Sequence, residues 1–393
     1  YYVMHFIKKK DDYVPGDRYC NPRHMKLRAE IKRKTIALLA MREKYPMEAS
    51  RILGIDAASQ EIGCRPEVFA QGFRTLHSDT RYAYTVNGFE KLPQLRVTYH
   101  VGEDFLDVTD GLRAIDEAIH FLNMDCGDRI GHGLALGVDV ASWYESKRYC
   151  ISLPKQDYLD NVVWLYHAIR RFSIEGMDNL KSWLEKEFYC YFEEVYSRFI
   201  SNEYIREIQK RIKDNGNQES LNFDIHSYYD AWKLRGDAPE LYERGFYQER
   251  LSDMAAFEVN KVNRQFPKEI EIRKKQAVAI LYHYYHYDAN VRRVGRDSIS
   301  KKVSLEYVRA VAAVQKEIQR EVAQRGIGIE TNPSSNVMIG TFDRYEEHPI
   351  TAFYNNGLTT DPEKLNECPQ IWVSINTDDQ GVFNIKLENE YAL

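Results

Sequence analysis

His100 and Glu103, in the run Thr98-Tyr99-His100-Val101-Gly102-Glu103, are residue types that together perform acid–base chemistry on a metal-polarised ligand. A neutral imidazole ligates a divalent ion, and a carboxyl just beyond it can hand a proton to whatever the ion activates. Other short apolar runs end on groups of the same kind: Asp56 after Ile52-Leu53-Gly54-Ile55, His132 between Gly131 and Gly133, Glu330 with Asn332, and the pair Asp378-Asp379 after Ile371 to Ile375. Adjacent carboxylates at the end of an apolar strand are costly unless a cation or hydrogen bonds neutralise them, so a metal is the expected reason for the aspartate pair. One aspartate would ligate while its neighbour accepts a hydrogen bond from substrate.

The elements that must position these groups repeat as strand, polar loop and helix. Tyr2 to Ile7 reads as a strand and is followed by solvated charges. Leu27, Ile31, Ile36, Leu38 and Leu39, set among regular charges, predict an amphipathic helix from Met25 to Lys44. Strands are expected at Ile52 to Asp56, Leu95 to His100, Ile130 to His132, Ile327 to Glu330 and Ile371 to Ile375, with helices over Val108 to Leu122 and Ser304 to Gln324. Alternation of this kind predicts an α/β fold with a parallel sheet covered by helices, and such folds keep their chemistry at the C-terminal ends of the strands. If the sheet closes into a barrel, all the candidate groups meet on one rim.

Residues 144–303 interrupt the rhythm. Periodicities such as Leu159, Val162, Val163, Tyr166 and Ile169, or Leu180, Trp183, Leu184 and Phe188, predict an all-α insertion between barrel parts at 1–143 and 304–393. Its patch Tyr282-His283-Tyr284-Tyr285-His286-Tyr287-Asp288, followed by Arg292, Arg293 and Arg296, reads as a packed aromatic helix with a basic end. A metal pair or an anion-binding arm is the competing reading of that patch.

With 393 residues, 44% of them hydrophobic, the chain can bury one large core or two ordinary ones. A net charge of −5 with acids and bases interspersed presents no basic face, so an RNA substrate is left open but is not indicated by charge. The six cysteines are scattered without a C-x-x-C pair, which excludes a zinc ribbon or a disulfide scaffold and points to reduced thiols in a cytoplasmic protein. No apolar run approaches the roughly 20 residues of a membrane span. The chain starts at Tyr1 inside an apolar segment, and a fragment is therefore expected.

Four motifs in order, Tyr99 to Glu103, Arg129-Ile130-Gly131-His132-Gly133, Asn332-Pro333-Ser334-Ser335-Asn336 and Ser374 to Asp379, resemble the adenosine deaminase family of zinc-dependent hydrolases. The resemblance covers Tyr1 to about Trp143 and Ser304 to Leu393, and implies a TIM-type (β/α)₈ barrel. It also implies Zn²⁺ held by His100 and Asp378, with Glu103 as proton donor to the purine ring and His132 orienting the attacking water. Asp379 would hold the imidazole-side nitrogen of the purine, and Ser59 and Asn332 would adjoin the base. The long insertion is most similar to that of the deaminase component of the bacterial RADAR phage-defence system, a likeness that implies homo-oligomeric assembly.

Two departures stand out. The family carries a His-x-His pair of zinc ligands on its first strand, and this chain has no His-x-His; the resemblance therefore implies a barrel incomplete at its N-terminus. Ser59, in Asp56-Ala57-Ala58-Ser59, occupies a position where the family has glycine. The reading that follows is zinc-dependent hydrolytic deamination of adenosine or an adenine nucleotide. The alternative is a non-catalytic oligomeric assembly module built on a remnant barrel. The cytidine-deaminase signature H-x-E with P-C-x-x-C is absent.

Overall fold

The computed structural model describes residues 1–12, 21–80, 82–85, 88–212, 221–244, 266–338, 344–378 and 386–391. Strand β1 (Tyr2–Lys8) leads into helix α1 (Met25–Lys44), β2 (Ile52–Ser59) and α2 (Ala70–His77). A small antiparallel ribbon, β3 (Tyr82–Thr85) with β4 (Gly88–Lys91), precedes β5 (Arg96–Val101), α3 (Val108–Phe121) and β6 (Arg129–His132).

A second ribbon then opens the insertion with β7 (Cys150–Pro154), followed by α4 (Lys155–Arg171), α5 (Asp178–Val195), α6 (Ile225–Lys233), α7 (Gln276–Tyr287) and α8 (Ala289–Gly295). Strand β8 (Ser298–Lys302) pairs antiparallel with β7 and closes it. Helix α9 (Leu305–Arg325), β9 (Gly328–Thr331) and β10 (Val373–Ile375) complete the order.

The insertion is thus helical within but not all-α, because a ribbon forms its neck. Its strands lie so far apart in sequence that neither carries a hairpin signal. The expected boundary at residue 143 falls inside a helix, Val140–Ser146, and the chain leaves the sheet's helical layer at Cys150 instead.

One six-stranded sheet organises the rest, in the order β1-β2-β5-β6-β9-β10, with every neighbouring pair parallel. Spatial order follows chain order without a reversal, unlike a doubly wound sheet, whose order turns back at a switch point. The faces differ accordingly. Ile55, Ala57, Val97, Tyr99, Ile130 and Ile329 are fully buried on one side, against which α2 brings Phe69 and Phe73 edge-on to Tyr99, with Phe73 also meeting Phe6. In register on the other side stand Asp56, Thr98, His100, Gly131, Glu330 and Ser374, a polar row. Helices cover the apolar face, and the polar face is the concave side of a singly wound sheet. Among the described residues the sheet remains open, with β1 and β10 as its edges.

Residues 150–302 sit on the helices of the sheet through buried charge. Helix α3 has an apolar face against the sheet, and its opposite face carries Asp110, Arg113, Asp116 and Glu117, all buried. Arg113 donates to Asn161 Oδ1 (2.8 Å) on α4 and to Glu117 and Asp110 (2.8 Å each) on its own helix. Trp164 and Trp232 of the insertion donate to Asp116 (2.7 Å) and Glu117 (2.9 Å). Hydrogen-bonded in this way, α3 can bury both faces. No helix among the described residues is long and apolar enough to cross a membrane.

Candidate active site

The candidate groups come from the C-terminal ends of four parallel strands. His100 ends β5, and its Nδ1 meets Asp56 Oδ1 on β2 at 2.9 Å; the other carboxylate oxygen of Asp56 meets His5 Nδ1 on β1, also at 2.9 Å. Burial would raise the Asp56 carboxyl, but hydrogen bonds from His100 and His5 outweigh it and hold Asp56 down to about 2. A carboxylate on Nδ1 leaves Nε2 as the ligating nitrogen of His100, the usual outer-sphere arrangement for a metal-binding histidine. Gly131, next to His100 across the sheet, makes room for the ring: a Cβ there would lie 2.7–2.9 Å from it.

Past His100 the chain turns at Gly102, whose φ is +79°. Glu61 Oε2 accepts the amide of Gly102 at 2.8 Å and lies 3.3 Å and 3.4 Å from those of Glu103 and Asp104. Lys8, buried beneath this turn, donates to the His100 carbonyl and lies 3.9 Å from Glu61. The arrangement fixes the backbone of Glu103 and aims its side chain at His132. Burial, with the carboxylates of Glu61, Asp104 and Asp378 around it, pushes Glu103 up to about 9, so it is protonated at neutral pH.

His132 ends β6 in left-handed backbone, φ +61°. Its Nδ1 lies 3.1 Å from Glu103 Oε1 and 3.0 Å from Asn336 Nδ2, and Asn336 Nδ2 also donates to Glu103 Oε1 at 2.8 Å. His348 orients that amide. Its Nδ1 accepts from the Ile350 amide (3.2 Å), so Nε2 carries the proton and donates to Asn336 Oδ1 at 3.2 Å. Asn336 therefore presents its NH₂ to both Glu103 and His132. His132 Nδ1 is an acceptor, and its protonated Nε2 lies 3.8 Å from Asp378 Oδ2. Burial and the nearby His100 hold His132 down to about 4, so the ring is neutral. Asn332 lies 3.3 and 3.4 Å from the two ring nitrogens and backs the ring.

Asp378, at φ +56°, follows β10 and accepts from Ser335 Oγ at 2.6 Å. Ser59, at φ +83°, ends β2 and is exposed. Asp379 lies outside the described residues. The structure brings His100, Glu103, His132, Asn332 and Asp378 together; Glu330, by contrast, reaches Arg129 at 3.7 Å along the polar face. Sequence reading missed His5, Glu61, Asn336 and His348 as positioning groups. For Asn336 the signal was present, since it closes the Asn332-Pro333-Ser334-Ser335-Asn336 motif; a lone His348 before Pro349 carries none.

The donor types fit a zinc ion in part. His100 Nε2 and the Asp378 carboxylate suit it, and the Asp56 bond orients the histidine. The His100 and His132 ring centroids are 5.2 Å apart, so nitrogen and carboxylate donors share one rim. The one trio of mutually close donors among the described residues lies elsewhere, at His77, Asp125 and Asp128, by the N-terminal ends of the strands.

Residues 308–393 match the adenosine deaminase family profile, which takes in α9, the Asn332 motif and Asp378. Curated adenosine deaminases are similar over short stretches: that of Shewanella denitrificans is 36% identical over 67 residues, 17% of this chain and 16% of the relative. That of Erwinia tasmaniensis is 37% identical over 70 residues, covering 18% and 17% of the two chains, and that of Shewanella loihica 34% over 70 residues, again 18% and 17%. The chain thus spans about a sixth of the length of the curated relatives it matches.

Proposed function

We propose that this chain carries the catalytic rim of a zinc-dependent hydrolase that deaminates adenosine or an adenine nucleotide to the inosine product, on a TIM-type (β/α)₈ barrel. The observation that carries it is the meeting of Glu103 and His132 at 3.1 Å on one rim, both held by Asn336, in surroundings that push the carboxyl up and the imidazole down. Two titratable groups whose environments push them apart are the mark of an acid–base site. The family match over 308–393 supplies the reaction class, and the unreversed parallel order supports the barrel.

In this reading His100 and Asp378 hold the zinc, which when bound supplies Lewis acidity and makes a water acidic enough to attack near pH 7. Glu103 presents its proton to the purine nitrogen beside the carbon under attack, which eases addition there and departure of ammonia. His132, its Nδ1 engaged by Asn336, orients the water by donating from Nε2. Asn332 fixes the ring's tilt; the family resemblance assigns Asp379 to the imidazole-side nitrogen of the purine and Ser59 to the edge of the base. The insertion's resemblance to the RADAR component supports a role in antiviral defence and homo-oligomeric assembly. A purine nucleoside or nucleotide is the partner at the rim.

Zinc content and the formation of inosine from adenosine and of IMP from AMP test this, on this chain and on any longer natural chain that contains it. Glu103→Gln should keep the wild-type zinc content and lose turnover by about 10²–10⁴-fold. Zinc-free, inactive protein in both lengths would leave the assembly module, which the partial donor set favours.

A further inference from the structure

Helix α1 starts at the same end of the sheet as the catalytic rim, because it returns antiparallel to β1. Its N-terminus is unusual. Its N-cap residue His24 is in left-handed backbone and makes no side-chain cap bond, and the first turn carries no acid. Asp11 accepts the His24 amide at 3.0 Å, ahead of the helix. Twenty residues of helix dipole point their positive end at whatever lies beyond.

What lies there is the basic underside of the insertion. Arg23 donates from Nε to the Tyr285 carbonyl (2.6 Å), its guanidinium lies 4.2 Å over the Tyr285 ring, and its amide bonds the His286 carbonyl (3.0 Å). Arg28 donates to the Arg23 carbonyl (3.1 Å) and the Glu67 carbonyl (3.3 Å). Arg292, at α8, donates to the His286 carbonyl at 2.8 Å. Backbone carbonyls thus fix Arg23 in place without matching its charge. The Glu67 carboxylate stands 3.7 Å from Arg28, and Arg23 has no carboxylate in ion-pair reach among the described residues.

Among the described residues, several polar atoms here are buried without a hydrogen-bond partner: Arg23 Nη2, His24 Nδ1, both ring nitrogens of His286, and Arg28 Nη2, which has only the ion pair with Glu67. His24 is 8% exposed and His286 0%. Burial first, then the surrounding arginines, push the His286 ring well below its usual range. A fully buried imidazole with neither nitrogen bonded, beside guanidiniums with open N–H groups, is a cradle of donors arranged for an anion.

We propose that the junction of the α1 N-terminus with α7 and α8 is a binding site for a phosphoryl anion, gripped by Arg23 and Arg28 with His24 and His286 as further donors. Guanidinium forks and a helix N-terminus match tetrahedral phosphate oxygens better than a planar carboxylate does. The anion ties the insertion to the rim. It comes from a free polyphosphate or from the phosphates of a nucleotide.

Calorimetric titration at fixed ionic strength, with inorganic phosphate, tripolyphosphate, ATP and adenosine, tests it. Wild-type protein should bind phosphate and tripolyphosphate saturably, and Arg23→Gln and Arg28→Gln should each weaken tripolyphosphate at least roughly tenfold. Glu103→Gln should leave that affinity unchanged, which separates the outcome from the fate of the deaminase reading. ATP binding tighter than tripolyphosphate identifies the nucleotide as the source; equal binding identifies free polyphosphate. Should the arginine variants fail to fold, hydrogen exchange on wild-type protein locates the site, with tripolyphosphate protecting the first turn of α1 and the α7–α8 corner. No saturable binding, or protection only elsewhere, overturns the proposal.

Discussion

Ser59, His132 and Asp378 adopt φ of +83°, +61° and +56°, backbone that costs a residue bearing a side chain about 1–2 kcal/mol. Each stands at or just past the C-terminal end of a parallel strand, where the chain must turn away from the sheet abruptly. The strain at His132 and Asp378 is held by contacts to Asn336 and Ser335. Among the described residues Ser59 has no such return. Its side chain is exposed, and its conformation is one glycine adopts freely. Ser59→Gly should therefore stabilise the chain by about 1 kcal/mol, the left-handed cost less glycine's greater freedom when unfolded. Urea unfolding of the two proteins measures it, and equal or lower stability in the glycine variant would show that Ser59 makes a compensating interaction.

At the scale of elements, α3 is the helix on which the sheet and the insertion both depend. Arg113 is 1% exposed and serves Asp110, Glu117 and Asn161 at once, so truncating it strips two buried carboxylates of one of their two guanidiniums and leaves them Arg65 alone, at 2.9 Å and 2.8 Å. Arg113→Ala should cost roughly 3–5 kcal/mol, against less than about 1 kcal/mol for Lys274→Ala, which removes the exposed pair with Glu271. A small effect at Arg113 in the same urea measurement would mean that water replaces it and the junction is wet. Which parts of this were legible in sequence follows from the range of the interactions. The strands and helices around His100, His132 and Asp378 announce themselves through local apolar period, and the polar strand ends marked the rim. The charged face of α3 reads as solvated, because period identifies one apolar face and says nothing of what lands on the other. The β7–β8 neck and the His348-to-Asn336 relay depend on residues that meet only after folding.

The whole molecule is knit where its three sequence segments meet at Asp107. Tyr144, Asn161 of the insertion and Tyr307 of α9 all donate to this carboxyl, Tyr307 at 2.9 Å and Asn161 at 3.3 Å. Asp107 is wholly buried, and burial outweighs the tyrosine hydrogen bonds to push it up to about 6. The folded chain therefore keeps a proton that the unfolded chain releases near pH 4. Its contribution is fully present below the unfolded value and is lost as pH rises through the folded one. A tenfold change in proton affinity is worth about 1.4 kcal/mol, so between about pH 4 and 6 this group should lower stability by up to about 3 kcal/mol. Asp160 acts in the opposite sense. Burial would raise it, but Arg235 at 2.6 Å holds it down to about 2, so its contribution is present above about pH 4 and lost as pH falls towards 2. The two windows adjoin without overlapping, which lets one substitution separate them. Asp107→Asn keeps an acceptor for the hydroxyls and has no proton to lose, so between about pH 4.5 and 6.5 its stability should decline less than that of the wild type, Asp157, also pushed up to about 6, contributing equally to both. Urea midpoints at three pH values in that interval measure the difference. Parallel profiles would mean that Asp107 is already ionised at the acid end of the interval and that the three segments are joined around a carboxylate.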